Sequence, residues 1–273
     1  MAVLPRSLTT GGAILIVVAL AALFGPMLAP YSYDQMDIMA RMTPPDAAHW
    51  LGTDEFGRDV LSRMLYGARL SLLMGIGATF VSLLIGVPLG LAAGYHGGRI
   101  DEAIMRAIDL VISVPPILMG LLLLSLSPPN VWKTALAVGI IYVPIMTRLT
   151  RGVTLEIAGE EFVLAARARG ERLWYILGAE ILPNAWPPII VEAALRVTFA
   201  IMLGAALSFL GLGVQPPSSD WGLMIAEARP FIDTAPWVAL APGAVLCITV
   251  IAVNLAGDGL RELLDPRLRR GRG

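Results

Sequence analysis

The sequence predicts an all-α membrane protein with six transmembrane helices. Of its 273 residues, 56% are hydrophobic and 15% are charged, with a mean hydropathy of +0.73, whereas a soluble domain carries about 25% charged residues. Several stretches without Asp, Glu, Lys or Arg reach the roughly 20 residues that a spanning helix needs. The net charge of −1 gives no basic field for nucleic acid, and a single cysteine, Cys247, in an apolar run is expected to be a small buried hydrophobe that forms no intrachain disulfide.

Uncharged stretches define the spans in order. Five are long enough without further argument, while a sixth, the fourth in chain order, has only 14 residues and by itself would suit a re-entrant or interfacial segment. The five are Ser7–Tyr33, Leu70–Gly98, Leu110–Trp132, Val197–Ser219 and Thr234–Gly257, and the short one is Thr134–Thr147. The first is too long to read as a removable signal peptide, and is expected to be a loosely attached span.

The distribution of arginines shows whether the short stretch Thr134–Thr147 crosses the membrane, because cytoplasmic loops carry the excess of Lys and Arg. With the N-terminus inside and six spans, thirteen of these residues lie inside and six outside. Without the fourth span the count becomes four inside and fifteen outside. The sequence therefore predicts six spans, with both termini in the cytoplasm.

A charged segment between the fourth and fifth spans cannot cross a membrane. Glu160 and Glu161 follow Gly159 and suit a helix N-terminus, and Gly170 is placed to end that helix in the left-handed conformation. A second short helix is predicted from about Arg172 to Ile181, broken before Pro183. Ala165, Ala166 and Ala168 would let a partner approach the first helix closely, or they are simply good helix formers.

These residues resemble a known motif. "LAARARG" at Leu164–Gly170, followed by Leu182-Pro183, is similar to the cytoplasmic loop of ABC-importer permeases that reads Glu-Ala-Ala, three residues, Gly, and later Ile-x-Leu-Pro. Leu164 stands where that motif has Glu, and Glu180 where it has Ile. Three further segments resemble the C-type permease of the dipeptide, oligopeptide and nickel group; they are Leu51–Leu72, Ala206–Ile225 and Asn254–Arg269.

The resemblance implies a type I ABC importer permease fold with a cytoplasmic coupling helix. It implies that this helix docks in a groove of a cytoplasmic ATPase and passes its movement to the spans. Gly170 would set the bend, Ala165 and Ala166 would allow close docking, and Glu161 and Arg167 would make polar contacts. The residues expected to couple this chain to the ATPase are Glu161, Leu164, Ala165, Ala166, Arg167 and Gly170.

The same resemblance implies the partners and the location. It implies a second, unlike permease, two ATPase subunits and a periplasmic or lipid-anchored substrate-binding protein at a bacterial inner membrane. The chain itself has no G-x-x-x-x-G-K-[ST] motif, so it is expected to bind no cofactor, with ATP and Mg²⁺ held by the ATPase partners. The expected units are residues 1–69, a five-helix transmembrane domain 70–260 with a coupling loop of about 148–184, and a cytoplasmic tail 261–273.

Three polar residues are candidates for functional groups within the membrane. Glu192 and Arg196 lie four residues apart and could pair on one helix face, in a functional or a helix-anchoring role. Asp109 precedes Pro115-Pro116, which could break the helix at a gate or only fix its shape. Outside the membrane, acidic residues could form a docking surface for the binding protein or a solvated face; they are Asp34, Asp37, Asp46, Asp54, Glu55, Asp59, Asp220, Glu227 and Asp233.

Other classes of protein are open to test. A membrane enzyme would need a polar constellation at the bilayer edge, and the sequence has no H-E-x-x-H and no convincing Ser/Lys or Ser/His set. A self-contained channel or secondary transporter would need ionisable groups along its spans and would have no use for the hinged loop. The cargo is expected to be a peptide by resemblance, with nickel, glutathione or an opine-like solute as alternatives.

Overall fold

The chain folds almost entirely into helices. The computed structural model describes residues 5–126, 128 and 130–264, and within these ranges the β-type pairing consists of one isolated bridge, between Thr53 and Asp59. Short 3-10 turns occupy Ile38–Ala40 and Arg229–Phe231. The α-helices are α1 Arg6–Leu28, α2 Val60–His96, α3 Gly98–Ile112, α4 Pro116–Ser125, α5 Val131–Ile157, α6 Glu161–Ala168, α7 Leu173–Tyr175, α8 Leu182–Phe209, α9 Trp221–Ala228 and α10 Trp237–Leu264.

Five helical stretches of the described residues are long and apolar enough to cross a membrane. They are α1, α2, α5, the stretch Leu173–Phe209 and α10. The bent pair of α3 and α4 makes a sixth if it is counted as one span. The predicted fold class, an all-α protein with six spans, is therefore confirmed if the bent pair counts as one span, although the bounds of the second to fifth predicted spans need correction.

The third span is not a straight helix over Leu110–Trp132 as predicted. The chain bends by 87° between α3 and α4, because Pro116 has no N–H and disfavours helical geometry at Pro115, whose φ and ψ are −54° and 139°. Asp109 consequently lies near the end of α3, before the bend. Helix α4 has 10 residues, about 15 Å of helix, or roughly half the thickness of the hydrocarbon core.

The doubtful fourth span lies inside a full-length helix. Helix α5 has 27 residues, about 40 Å, and it extends through Arg148 and Arg151 because both guanidiniums have carboxylate partners on α3. Asn130 caps its N-terminus by accepting a hydrogen bond from the backbone N–H of Trp132 at 2.9 Å. The helix is thus longer than the 14-residue uncharged stretch predicts, because charged residues that have ion-pair partners do not end it.

The second and fifth predicted spans also begin too late. Helix α2 starts at Val60 because the Asp59 carboxylate accepts from the backbone N–H of Ser62 at 2.7 Å. Helix α8 begins at Leu182 and passes through Glu192 and Arg196 without interruption, then ends at Phe209, ten residues before the predicted boundary. The predicted break before Pro183 is wrong, because residues Ile176–Ile181 form a π-helical turn that leads directly into α8.

Helix α1 is held closely against α10. A Cβ on Gly11 would lie 2.6 Å from the backbone nitrogen of Ala256, and a Cβ on Gly259 would lie 2.5 Å from the backbone nitrogen of Leu8. Backbones this close require glycine at both places. The first span is therefore tightly packed where it meets α10, contrary to the expected loose attachment.

A row of glycines joins α2 to α5. Gly86, Gly90 and Gly94 are spaced four apart, and a Cβ on each would lie 2.7, 2.5 and 2.7 Å from the Cβ atoms of Met146, Thr150 and Thr154. This is the small-residue face that permits close helix packing in membranes. These glycines therefore serve the contact between α2 and α5.

We expect Gly90→Ala to destabilise the fold by about 1–3 kcal/mol, because the added methyl group has no room and the helices must separate. Gly152→Ala on α5 is the matched control, since a Cβ at Gly152 has no heavy atom within 4 Å and alanine gains up to about 1 kcal/mol of helix propensity over glycine. Thermal unfolding of the purified variants in detergent measures both. Equal melting temperatures for the two variants would contradict the packing argument.

Candidate functional site

The charged segment between α5 and α8 forms the hinged loop that the sequence predicts. Helix α6 covers Glu161–Ala168, and Gly170 follows it with φ of +74°. The backbone N–H of Gly170 donates to Arg167 O at 2.9 Å and that of Glu171 to Ala166 O at 3.2 Å, which satisfies the last carbonyls of the helix. Gly170 thus permits the turn between α6 and the stretch that continues into α8.

One face of α6 is buried against the rest of the chain. Val163 and Ala166, three residues apart, are both 0% exposed and pack in one cluster with Ile176 and Ile181 of the π-helical turn. The expectation that Ala166 offers a docking surface is therefore corrected: its small side chain lets α6 approach its own chain, not a partner. Helix α6 is therefore in direct contact with the turn that leads into α8.

Arg167 fixes the other side of the helix. Its guanidinium lies over the ring of Tyr95, 4.3 Å from the ring centroid, at the end of α2. A cation over an aromatic face at this distance is attractive. Arg167, expected to contact a partner, thus has a contact within its own chain that links α6 to α2.

The remaining face of α6 is exposed. Glu161 and Ala165 lie on it, and Phe162 and Leu164 are 39% and 49% exposed. Two apolar side chains exposed around a small one on a polar loop provide a shallow surface suited to a partner protein. Of the six residues predicted for coupling, Glu161, Leu164 and Ala165 lie on this surface, whereas Ala166 and Arg167 make internal contacts and Gly170 forms the turn.

Asp109 and Arg148 pair with each other. The Arg148 Nη2 lies 2.5 Å from the Asp109 Oδ1, and both side chains are more than half exposed. A second and less exposed pair, the bidentate contact of Arg151 with Asp101, also joins α5 to α3. Both pairs lie on the predicted cytoplasmic side of the bend at Pro115, so Asp109 helps to hold α3 against α5.

Glu192 and Arg196 form the predicted pair on α8. Arg196 Nη2 lies 2.8 Å from Glu192 Oε1, with side chains 12% and 20% exposed for Arg196 and Glu192. The Arg196 guanidinium also lies over the rings of Phe199 and Tyr142, at 4.6 and 5.6 Å from their centroids. The arginine is therefore clamped by two aromatic rings, and it holds one oxygen of the carboxylate.

The acidic residues predicted outside the membrane do not form one surface. Asp54, Asp59 and Asp220 are 0–2% exposed, each serving the fold, whereas Asp34, Asp37, Asp46 and Asp233 are exposed. Asp220 caps α9 by accepting from the backbone N–H of Leu223 at 2.9 Å and from Ser208 Oγ at 2.6 Å, and burial raises the pKa of its carboxyl. Burial also raises the pKa of the Glu55 carboxyl, with the charge of Asp54 contributing.

A buried charge network, which the sequence does not reveal, fastens α9 to the start of α2. It consists of Asp54, Arg58, Arg63 and Glu227. Asp54 Oδ2 accepts from Arg58 Nε at 2.6 Å and from Arg63 Nη1 at 2.7 Å, and Arg63 Nη2 lies 2.8 Å from Glu227 Oε2. Two arginines at 2% and 1% exposure are costly to bury unless paired. Arg58 and Arg63 are more than 160 residues from Glu227 in the sequence, so no helical spacing indicates that they pair.

Most of the chain matches a known protein family. Residues 86–270 match the family described as binding-protein-dependent transport system inner membrane component. The chain belongs to this family. Residues 7–45 of the permease also match the N-terminal TM domain of oligopeptide transport permease C.

Individual relatives agree along almost the whole chain. The dipeptide transport system permease protein DppC of Alkalihalophilus pseudofirmus is 43% identical over 250 residues, which is 92% of this permease and 82% of the relative. The probable D,D-dipeptide transport system permease protein DdpC of Escherichia coli is 39% identical, covering 94% and 87%. The glutathione transport system permease protein GsiD of Pectobacterium atrosepticum is 40% identical, covering 94% and 85%.

Solved structures establish the fold independently. A chain of the MetNI methionine ABC transporter, crystallised in an inward-facing conformation, aligns with a TM-score of 0.61 at 20% identity, covering 74% of this permease and 96% of that chain. An amino acid ABC transporter crystallised with histidines aligns at a TM-score of 0.52 and 15% identity, covering 77% and 93%. The type I ABC importer permease fold expected from the sequence is confirmed.

Proposed function

We propose that this chain is one of two unlike permease subunits that together carry short peptides across the bacterial inner membrane. The observation that carries the proposal is the 43% identity, over 92% of the chain, to a permease named for dipeptide transport. The bend at Gly170 and the exposed face of α6 support it, because they give the permease a surface through which a separate motor could act.

The motor is proposed to be two ATPase subunits in the cytoplasm, which bind ATP and Mg²⁺ in place of this chain. The lack of a phosphate-binding loop supports this division, since the only lysine, Lys133, follows Asn130-Val-Trp and no glycine-rich turn. ATP binding would close the ATPases on each other and move α6. Because α6 packs on Ile176 and Ile181, that movement would reach α8 directly.

The orientation proposed places both termini and α6 in the cytoplasm. The arginine distribution supports it. The exposed loop between α1 and α2 and the segment with α9 would then face a periplasmic or lipid-anchored binding protein, which delivers the cargo. Transport would proceed by alternating access between the two permeases.

Reconstitution of the complete importer in proteoliposomes tests the proposal. We expect ATP-dependent accumulation of radiolabelled dialanine that requires the binding protein and both ATPases. Glutathione and Ni²⁺ are the discriminating solutes. One relative is named for glutathione transport, and the group that the sequence resembles includes nickel permeases. Accumulation of Ni²⁺ in preference to dialanine would overturn the peptide assignment. Accumulation of glutathione, a γ-linked tripeptide, in preference to dialanine would overturn the assignment to ordinary α-linked peptides. Accumulation without the ATPases would overturn the permease assignment.

A further inference from the structure

A cavity of about 530 Å³ opens between α5, α8 and α10 on the predicted cytoplasmic side. Its volume falls in the range of about 300–1,000 Å³ that small-molecule sites occupy. Leu149 contributes from α5, Val191 and Leu195 from α8 and Leu264 from α10, so most of the lining is apolar. The lining also contains two charged side chains of opposite sign, Glu192 on α8 and Arg261 on α10.

Glu192 has a carboxylate oxygen available for a cation. Among the described residues Arg196 is its ion-pair partner and approaches Oε1, so Oε2 can accept a further hydrogen bond. Arg196 cannot swing into the cavity without leaving the rings of Phe199 and Tyr142. An ionisable residue kept at this position in a membrane protein is expected to face a water-filled cavity and not lipid.

The part of the wall formed by α10 offers the complementary charge. Arg261 lies in the last turn of α10, and within the part of the chain that the structure describes it forms no ion pair. A guanidinium binds a carboxylate through two parallel hydrogen bonds. The cavity lining thus contains a carboxylate from α8, a guanidinium from α10 and several apolar side chains.

We propose that this cavity is a binding station for the cargo peptide. This inference rests on the proposed function. The peptide's ammonium group contacts Glu192 and its terminal carboxylate contacts Arg261. All short peptides share these two charged ends, whereas their side chains differ, so a site that reads the ends and surrounds the rest with apolar groups accepts many sequences.

The position of the cavity next to the hinged loop gives it a means of release. Asn184, which lines it, donates from Nδ2 to the backbone oxygen of Glu180 at 2.7 Å. Glu180 belongs to the π-helical turn that packs on α6 through Ile176 and Ile181. A shift of α6 therefore moves the wall of the cavity, and motor movement changes its affinity for the peptide.

Cysteine protection in the nucleotide-free complete importer, held in nanodiscs, tests the station without dependence on the binding protein. Val191→Cys is made in a Cys247→Ala background and labelled with a maleimide. Bound dialanine slows labelling by a factor of 1 + [L]/Kd, so a concentration about ten times Kd slows it about tenfold. N-acetyl-dialanine amide, which lacks both charges, gives no protection. Leu240→Cys, on α10 but outside the cavity lining, is labelled at the same rate with and without dialanine.

Charge variants complete the experiment. Glu192→Gln raises the Kd for dialanine, measured by protection of Val191→Cys, at least about tenfold. This is the loss expected when a charge-assisted hydrogen bond becomes a neutral one. Glu102→Gln is the matched control, because Glu102 forms an exposed i,i+4 pair with Arg106 outside the cavity. The assignment is overturned if the capped peptide protects Val191→Cys as well as dialanine does. It is also overturned if dialanine leaves the labelling rate unchanged while transfer from lipid nanodiscs to detergent changes it.

Uptake by the same preparation in proteoliposomes separates the two proposals. Accumulation of dialanine without protection of Val191→Cys overturns the cavity assignment alone. Failure of both overturns the peptide cargo and the cavity together. Protection that Glu192→Gln leaves unchanged also contradicts the assignment, since the ammonium contact is its central feature.

Discussion

Replacing Ala165 with arginine is expected to abolish ATP-driven transport while the permease still folds. Ala165 lies on the exposed face of α6, next to Leu164, which is 49% exposed. An arginine there has room in the isolated chain. It has none in an interface where a partner packs against a small residue, and burying an unpaired charge costs several kcal/mol.

The expected magnitude follows from that cost. A loss of about 3 kcal/mol in the association of permease and ATPase corresponds to more than a hundredfold weaker binding. Co-purification of the ATPases with the permease measures it, together with dialanine uptake. We expect uptake below a tenth of wild type, since transport requires the docked motor.

Ala166→Arg is the informative contrast, because the two alanines are adjacent but Ala165 is exposed and Ala166 is buried. Ala166 is 0% exposed and packs against the chain's own π-helical turn, so arginine there lowers the melting temperature and the yield of folded protein. Ala165→Arg leaves both at the wild-type value. If Ala165→Arg keeps its ATPases and its uptake, the exposed face of α6 is not the coupling surface.

The contrast between these alanines illustrates what the sequence could and could not predict in the loop. Gly170, the acidic start at Glu161 and the length of α6 follow from local rules for helix ends, and the structure has them as predicted. Which face of an eight-residue helix turns inward depends on Ile176 and Ile181, which lie beyond the turn. Local sequence does not determine that packing.

The spans show the same division. Uncharged length located five of them because lipid excludes unpaired charge. The bounds failed where a charge has a partner elsewhere: Arg148 with Asp109 on α3, and Glu192 with Arg196 one turn away on α8. Only the second of these pairs can be recognised from spacing, and uncharged length alone still starts the fifth span after it, at Val197. The predicted C-terminal tail falls mostly outside the described residues, which end at Leu264.

The second large effect is expected on stability, at Asp54 in the buried charge network. Asp54 is 0% exposed and accepts hydrogen bonds from the backbone N–H groups of Phe56 and Arg58 at 2.9 Å, as well as from the guanidiniums of Arg58 and Arg63. Asp54→Asn keeps the size of the side chain but removes the charge that both arginines share. Breaking a buried pair in this way costs about 3–5 kcal/mol.

Thermal unfolding in detergent measures this loss, and for a chain of this size it lowers the melting temperature by roughly 10 °C. Asp233→Asn is the control, since Asp233 is exposed on the same side and a surface change of this kind stays within about 0.5 kcal/mol. A melting temperature for Asp54→Asn equal to that of the control would mean that Glu227 and Glu55 suffice to neutralise the two arginines.

A double variant identifies the cause of the loss. Without Asp54 the two arginines share Glu227. If the cost comes from this excess of positive charge, Arg63→Met added to Asp54→Asn recovers part of the stability, because it removes one of the two guanidiniums and leaves an apolar side chain in its place. If the cost comes instead from the lost hydrogen bonds to the backbone of Phe56 and Arg58, the second substitution lowers stability further. The first result is expected, because Arg63 is 1% exposed and its Nη1 donates to Asp54 at 2.7 Å, so the charge that remains has no access to water.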